Sequence, residues 1–98
     1  MYKLSLLITL LLFSLSYSST VFSIPLAWDA PNSNNADGYT IYRKDRHTLF
    51  ELITSTEEET YTDTVTNGFY CYVVTAYNTF GESLPSNQLC LSIPKDIH

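Results

Sequence analysis

The stretch FYCYVVTAY at residues 69–77 alternates as a β-strand does when one of its two faces is buried. Tyr70, Tyr72, Val74 and Ala76 recur at every second position along it. Aromatic and β-branched side chains favour strands because they fit a pleated, half-buried surface. We therefore predict that this is the longest strand and that these four side chains point into a core.

Shorter alternating stretches lie on both sides of it, separated by turn-forming residues, and no segment has a helical period. The pairs Asp37-Gly38 and Asn67-Gly68 are predicted to supply positive φ at two corners. About six short strands in series predict an all-β sandwich, with Trp28 in its core rather than in a ligand site. The alternating sets are Ile24, Leu26 and Trp28; Tyr39 and Ile41; Tyr61, Asp63 and Val65; and Leu89, Leu91 and Ile93.

The composition limits the class of protein. The 98 residues can form one small domain, and a hydrophobic fraction of 45% is too high for a disordered chain. Five basic and ten acidic residues give a net charge of −5. This charge argues against binding to nucleic acid or to an anionic membrane surface.

The first 23 residues have the layout of a secretory signal peptide. Lys3 is followed by a largely apolar run at residues 4–15 and then by small polar residues. The run is shorter than the roughly 20 apolar residues of a spanning helix. We predict cleavage after Ser18 or Ser23, a domain at residues 24–98, and a secreted or periplasmic (cell-envelope) location. An uncleaved membrane anchor and a buried core helix are the alternatives, and only an uncleaved segment would bring the chain to a membrane.

Five motifs in series resemble those of a fibronectin type III domain. The stretch LAWDAP at 26–31 and the stretch DGYTIYR at 37–43 resemble its strands B and C. Residues 61–63 resemble strand E, residues 68–78 strand F, and residues 81–87 the F–G turn and the start of strand G. The resemblance implies an immunoglobulin-like β-sandwich of the type that accompanies secreted bacterial enzymes and surface proteins.

The sequence departs from this family before strand B. The family has a strand A at that edge, whereas little precedes Ile24 once a signal peptide is removed. Strand A is therefore predicted to be short or missing. It could be formed by residues 19–22, or strand B could be an open edge that recruits a partner strand. An edge that Pro25 merely blunts, and that stays solvated, is the third possibility.

The two cysteines are predicted to form a structural disulfide. Cys71 and Cys90 lie at equal distances from a predicted turn at residues 80–81, on strands that should form an antiparallel hairpin. Opposed residues in such a pair come close to bridging distance, and export favours oxidation. A metal pair or a redox pair is the alternative, but there is no Cys-x-x-Cys motif, and His47 and His98 lie elsewhere in the chain.

No motif indicates catalysis, a metal site or a cofactor. His47 lies in a charged turn, and the acidic residues 57–59 lack the alternating pattern of a calcium loop. The sequence lacks both a Gly-x-Ser-x-Gly elbow and a phosphate-binding loop. We therefore predict a protein that is not an enzyme.

A contact face is the best candidate for function. Tyr42, Val73, Thr75 and Tyr77 should lie on the outward face of the C-F-G sheet, where tyrosine and valine are unusual. Cross-strand pairing of β-formers, which needs no ligand, is the simpler explanation. The loops at residues 32–37 and 78–83 are the other exposed surfaces. We predict an exported binding module for a protein partner. The alternative is a spacer or accessory module related to those of secreted polysaccharide-active enzymes, with a polysaccharide as partner.

Overall fold

The protein folds into two antiparallel β-sheets. The computed structural model describes residues 21–29 and 36–95, together with the backbone pairing of residues 8–10. One sheet has the strand order β1-β2-β5, and the other has the order β4-β3-β6, with β7 and β8 both on the far side of β6. Within the described ranges no helix has the length and apolar character needed to cross a bilayer. The strands are β1 (Ile8–Leu10), β2 (Phe22–Trp28), β3 (Gly38–Lys44), β4 (Glu51–Thr56), β5 (Thr60–Val65), β6 (Gly68–Asn78), β7 (Gly81–Glu82) and β8 (Leu89–Ile93).

The core lies between the two sheets and confirms the predicted sandwich. The ring of Trp28 meets that of Tyr39 edge to face, with centroids 5.6 Å apart. This is a favourable arrangement of two aromatic quadrupoles. Trp28 is 3% exposed, so its predicted core position is confirmed. The inward side chains of β2, β3 and β6 form one cluster with residues of β5 and β8: Phe22, Ile24, Leu26, Trp28, Tyr39, Ile41, Val65, Tyr72, Val74, Ala76 and Ile93.

The edge strand next to β2 is short, as predicted, but it comes from an unexpected part of the chain. The described residues of β1 pair with Leu26–Trp28, the last three residues of β2, in reverse order. The preceding residue of β2, Pro25, is poorly suited to extend this pairing. Its ladder to β5 continues through Thr62, so its nitrogen must face the β1 side, where it cannot donate a hydrogen bond.

The expectation that residues 19–22 form this strand is wrong at Phe22, which begins β2 instead; residues 19–20 lie outside the described residues. β1 lies inside the predicted signal peptide, most of which is also outside the described residues. Cleavage after Ser18 or Ser23 would therefore remove β1 and leave this edge of β2 without it.

The two predicted corner glycines serve different purposes. Gly68 has a positive φ of 152°, as predicted. Gly38 does not have positive φ, so that prediction was wrong. Gly38 begins β3 beneath the ring of Tyr77, and an added Cβ would lie 2.6 Å from the Cζ of that ring. A side chain at position 38 would therefore have to displace Tyr77.

The connection from β6 to β8 contains a register change that the sequence did not reveal. β7 pairs with Tyr77 and Asn78 around a turn at residues 79–80, one residue earlier than predicted. The pairing of β8 with β6 is offset from this by two residues. The extra length is taken up by residues 83–88, which are not in a strand. This segment shapes the candidate site described below.

Candidate functional site

The disulfide predicted from the sequence is present. Cys71 and Cys90 are register partners on β6 and β8, and their sulfur atoms are bonded. The bridge lies on the outer face of the five-stranded sheet, which is the face turned away from the three-stranded sheet. Cys71 is buried, whereas Cys90 is exposed and its Sγ accepts a hydrogen bond from Gln88 Nε2 at 3.1 Å. The bridge therefore pins β8 to β6 beside the irregular segment.

Removing this bridge should destabilise the domain without changing its fold. We expect the double substitution Cys71→Ala/Cys90→Ala to lower the free energy of unfolding by roughly 3 kcal/mol, because the disulfide closes a loop of about 20 residues in the unfolded chain. Urea denaturation of the oxidised protein and of the double variant measures the difference. Non-reducing mass spectrometry should find the two cysteines linked, and free thiols at both would contradict the assignment.

A buried polar cluster joins the two sheets. Asp63 of β5 accepts hydrogen bonds from Tyr72 Oη at 2.6 Å and from Arg43 Nη1 at 2.7 Å, and both end on Oδ2. Its other oxygen accepts from the backbone N–H of Thr64 at 3.0 Å. Asp63 and Tyr72 are buried, and Arg43 is partly exposed. Because Asp63 uses both of its oxygens to bind groups of the protein itself, we interpret this cluster as a structural clasp.

The clasp makes Tyr72 hard to ionise. Burial is the main cause of its raised pKa, and the hydrogen bond to Asp63 raises the pKa further because it requires a protonated phenol. The folded protein therefore keeps Tyr72 neutral at a pH where the unfolded chain, with a tyrosine pKa of about 10, releases the proton.

Stability should consequently fall in alkaline solution. The contribution of neutral Tyr72 to the free energy of unfolding is fully present below pH ~10. It is lost as the pH rises above this value, with a slope of about 1.4 kcal/mol per pH unit. We expect Tyr72→Phe to flatten the pH dependence by about this slope. Urea titrations between neutral and alkaline pH measure it. The difference in free energy of unfolding between the two proteins at neutral pH measures the lost hydrogen bond separately. An unchanged slope would contradict the role of Tyr72.

The structure brings together three of the four residues predicted for the contact face. Tyr42 and Val73 are register partners on β3 and β6, and Thr75 lies two positions further along β6. Val73 and Thr75 are buried although they lie on the outer face of the sheet, and Tyr42 is half-buried. Tyr77 lies apart from these residues, against Gly38. The contact face as predicted therefore contains a groove that Tyr77 does not line.

This groove has a volume of about 500 Å³ and a largely apolar floor. It runs over β6, between side chains of β3 and of the segment preceding β4 on one side and the irregular segment 83–88 on the other. Leu52, the register partner of Tyr42 on β4, extends the apolar surface and is 59% exposed. The groove is lined by Tyr42, Phe50, Val73, Thr75, Glu82, Ser83, Pro85, Ser86 and Gln88.

Two serines hold the wall of the groove in place. Ser83 and Ser86 donate their backbone N–H groups to the carbonyl oxygens of Ala76 and Val74, each at 2.8 Å. Their hydroxyl oxygens accept the N–H groups of the same two residues at 2.9 Å. The two serines thus form the hydrogen bonds with the backbone of β6 that a neighbouring strand would otherwise form. Pro85 lies between them, so the wall is fixed rather than a free loop.

Glu82 supplies the carboxylate of the groove. Its Oε2 accepts a hydrogen bond from Tyr42 Oη at 2.5 Å and another from Thr75 Oγ1. The hydrogen bond to Glu82 is the main cause of a raised pKa at Tyr42, with partial burial second. Tyr42 therefore remains a protonated donor, and the carboxylate is held by two hydroxyl groups.

Other candidate reactive groups are solvated. His47 lies in an exposed turn, where its backbone N–H is bound by Asp45 Oδ1 at 2.7 Å. The acidic residues 57–59 are exposed as well. Within the described residues, no group of three histidine, cysteine or acidic side chains could hold a metal ion. His98 and residues 32–35 of the predicted loop lie outside the described residues.

Solved structures with this architecture identify the fold. An Fn3-like protein from Clostridium thermocellum aligns with a TM-score of 0.61 and 29% identity, over 78% of this chain and 81% of that one. The chain therefore has the fold of a fibronectin type III domain. A fibronectin type III (FN3) domain of human fibronectin type III domain containing protein 3 aligns with a TM-score of 0.64 and 21% identity, over 85% and 82% of the two chains.

The twitchin kinase region of C. elegans also contains a domain similar to this FN3 domain. It aligns with a TM-score of 0.64 and 19% identity over 74% of this chain, but this chain covers only 14% of its length. This likeness therefore concerns one domain within a longer chain and not the kinase. No protein-family model and no curated protein matches the sequence.

The sequence predicts only part of this groove. The alternation along β3 and β6 identified Tyr42, Val73 and Thr75, because a period of two assigns each residue to a face. Glu82, Ser83 and Ser86 follow a turn and have no such period. The predicted exposed loop at residues 78–83 includes Glu82 and Ser83, and the resemblance of residues 81–87 to the family's F–G region includes all three, but neither places them beside Tyr42.

Proposed function

We propose that this FN3 domain is an exported, non-catalytic binding module that holds a protein partner against the groove on its outer face. The groove itself is the observation that carries the proposal. It combines an apolar floor with a few fixed polar groups on a rigid sheet, which is the usual make-up of a recognition site. The exposed side chain of Leu52 adds apolar area that folding alone does not require.

Affinity capture with matched variants tests this proposal. Leu52→Asp places a charge beside the groove, and Thr62→Asp places one at an exposed position of β5, on the other sheet. Each purified variant is immobilised and exposed to envelope extract from the producing cell. We expect wild-type protein and Thr62→Asp to retain a protein that Leu52→Asp loses. Equal retention by both variants would exclude the groove, and retention on insoluble polysaccharide instead would favour the accessory-module alternative.

Export is the second part of the proposal. It rests on the predicted signal peptide and on the disulfide, which is stable in an oxidising compartment. N-terminal sequencing of protein recovered outside the cytoplasm should begin at Ser19 or Ile24. A chain that still begins at Met1 after recovery from the membrane fraction would show that the segment is an anchor.

A further inference from the structure

The carboxylate of Glu82 lies at a mostly apolar groove, and no cation of the described residues forms an ion pair with it. Among residues 21–29 and 36–95, the ion pair found is that of Arg43 with Asp63, which belongs to the core clasp. The Nζ of Lys44 lies 5.5 Å from the centroid of the Phe50 ring, and the guanidinium of Arg46 lies 5.0 Å from that of Phe69. The basic groups at the end of β3 are thus directed to aromatic rings, and none is recorded within ion-pair distance of Glu82.

The carboxylate of Glu82 can also accept a further hydrogen bond. The hydrogen bonds found to its side chain, from Tyr42 and Thr75, both end on Oε2. A carboxylate offers about four acceptor positions over its two oxygens. The outstanding acceptor capacity lies mainly on Oε1, while the two hydroxyl groups keep the side chain from rotating freely. The charge is therefore presented in one orientation.

The groove next to this charge favours a particular kind of ligand. Tyr42, Val73 and Phe50 offer apolar and aromatic surface, and the chain as a whole has a net charge of −5. A negative protein repels acidic segments and attracts basic ones at long range. An arginine suits the site better than a lysine, because its guanidinium can donate to Oε1 while its flat face stacks on an aromatic ring.

We propose that the groove binds an extended segment of a protein partner in which an arginine, flanked by apolar residues, bonds Glu82. The apolar neighbours of the arginine lie over Val73 and Phe50. This inference rests on the proposed function and adds the chemistry of the partner to it.

Two blocked peptides that differ in a single group test this assignment. Acetyl-Leu-Arg-Leu-amide carries the cation, and acetyl-Leu-citrulline-Leu-amide has nearly the same shape without charge. Both are titrated into the ¹⁵N-labelled protein and followed by NMR. We expect the arginine peptide to bind about tenfold more tightly. A carboxylate forms a stronger hydrogen bond with a charged guanidinium than with the neutral urea group of citrulline. The amide signals of Val73, Thr75 and Glu82 should shift. Raising NaCl from about 50 to about 500 mM should remove most of the preference.

Substitution of the carboxylate provides the matched control in the protein. Glu82→Gln keeps an oxygen that can accept from Tyr42 and Thr75, so the variant should fold, and it should bind the two peptides equally. Glu57→Gln removes one charge from an exposed turn and should keep the tenfold preference. The comparison of the two peptides on wild-type protein stands by itself if Glu82→Gln does not fold.

Several outcomes would overturn the inference. Equal binding of both peptides to wild-type protein, a preference that survives Glu82→Gln, or shifts confined to another surface would each do so. Shifts of the groove signals by cellohexaose with none by the arginine peptide would assign the groove to a saccharide instead. If the arginine preference is absent but Leu52→Asp still loses its captured protein, the proposed function stands and only this inference fails.

Discussion

Replacing Asp63 with alanine is expected to lower the free energy of unfolding by about 3–5 kcal/mol. The total stability of a domain is only about 5–15 kcal/mol. A loss of this size removes a large fraction of that stability. No surface substitution considered above should have a comparable effect.

The reason lies in what the substitution leaves behind. The carboxylate of Asp63 is the acceptor for the buried hydroxyl of Tyr72 and for the guanidinium of Arg43. Without it, a buried phenol on β6 and a partly exposed guanidinium on β3 lose their acceptor. Leaving such groups unpaired costs more than the original interaction contributes. The loss also affects both sheets at once, because Asp63 belongs to one sheet and its two side-chain partners to the other.

Urea denaturation with the disulfide intact measures this loss. Asp29→Ala, at an exposed position at the end of β2, is the matched control and should change the stability by less than about 0.5 kcal/mol. The double variant Asp63→Ala/Tyr72→Phe should be less than additive, since removing the phenol hydroxyl removes one of the unpaired groups. If Asp63→Ala were as stable as Asp29→Ala, the clasp would contribute nothing to stability.

The sequence was sufficient for those parts of the fold that follow from alternation. A period of two along residues 69–77 assigned the inward face of β6, and the same reasoning placed Trp28 in the core and the two cysteines on the opposite side. The pairing of Cys71 with Cys90 was also correct. The pairing was predicted for one regular hairpin, whereas the actual turn lies one residue earlier and the register shifts by two before β8. The two departures cancel: the earlier turn alone would place residue 88 opposite Cys71, and the register shift brings Cys90 there instead.

Other features depend on contacts between distant parts of the chain. Alternation placed Asp63 on the same face as Tyr61 and Val65, but it could not show that Arg43 and Tyr72 would meet it from the other sheet. The groove arises from the register change and from two serine side chains that replace strand pairing, and neither has a period in sequence. The sequence shows that Pro25 weakens pairing at this edge of β2, but it does not show that the neighbouring strand comes from residues 8–10.

The second large effect is expected for Trp28→Ala, which should cost about 3–5 kcal/mol of unfolding free energy. The indole is 3% exposed and contacts Tyr39, so its loss leaves a cavity between two sheets that can collapse only in part. Its N–H has no hydrogen-bond partner among the described residues, so no bond at that nitrogen is given up.

Two further variants show whether the effect comes from packing between the sheets. Phe80→Ala removes an aromatic ring that is 94% exposed, and we expect almost no change in stability from it. Trp28→Phe keeps part of the apolar volume and removes a buried donor without a partner, so it should fall between Trp28→Ala and wild type. Thermal unfolding followed by circular dichroism measures all three. If Trp28→Ala folded as stably as Phe80→Ala and lost only the binding of the captured protein, Trp28 would belong to the recognition surface, and the core would have to be held together by its remaining aliphatic and tyrosine side chains.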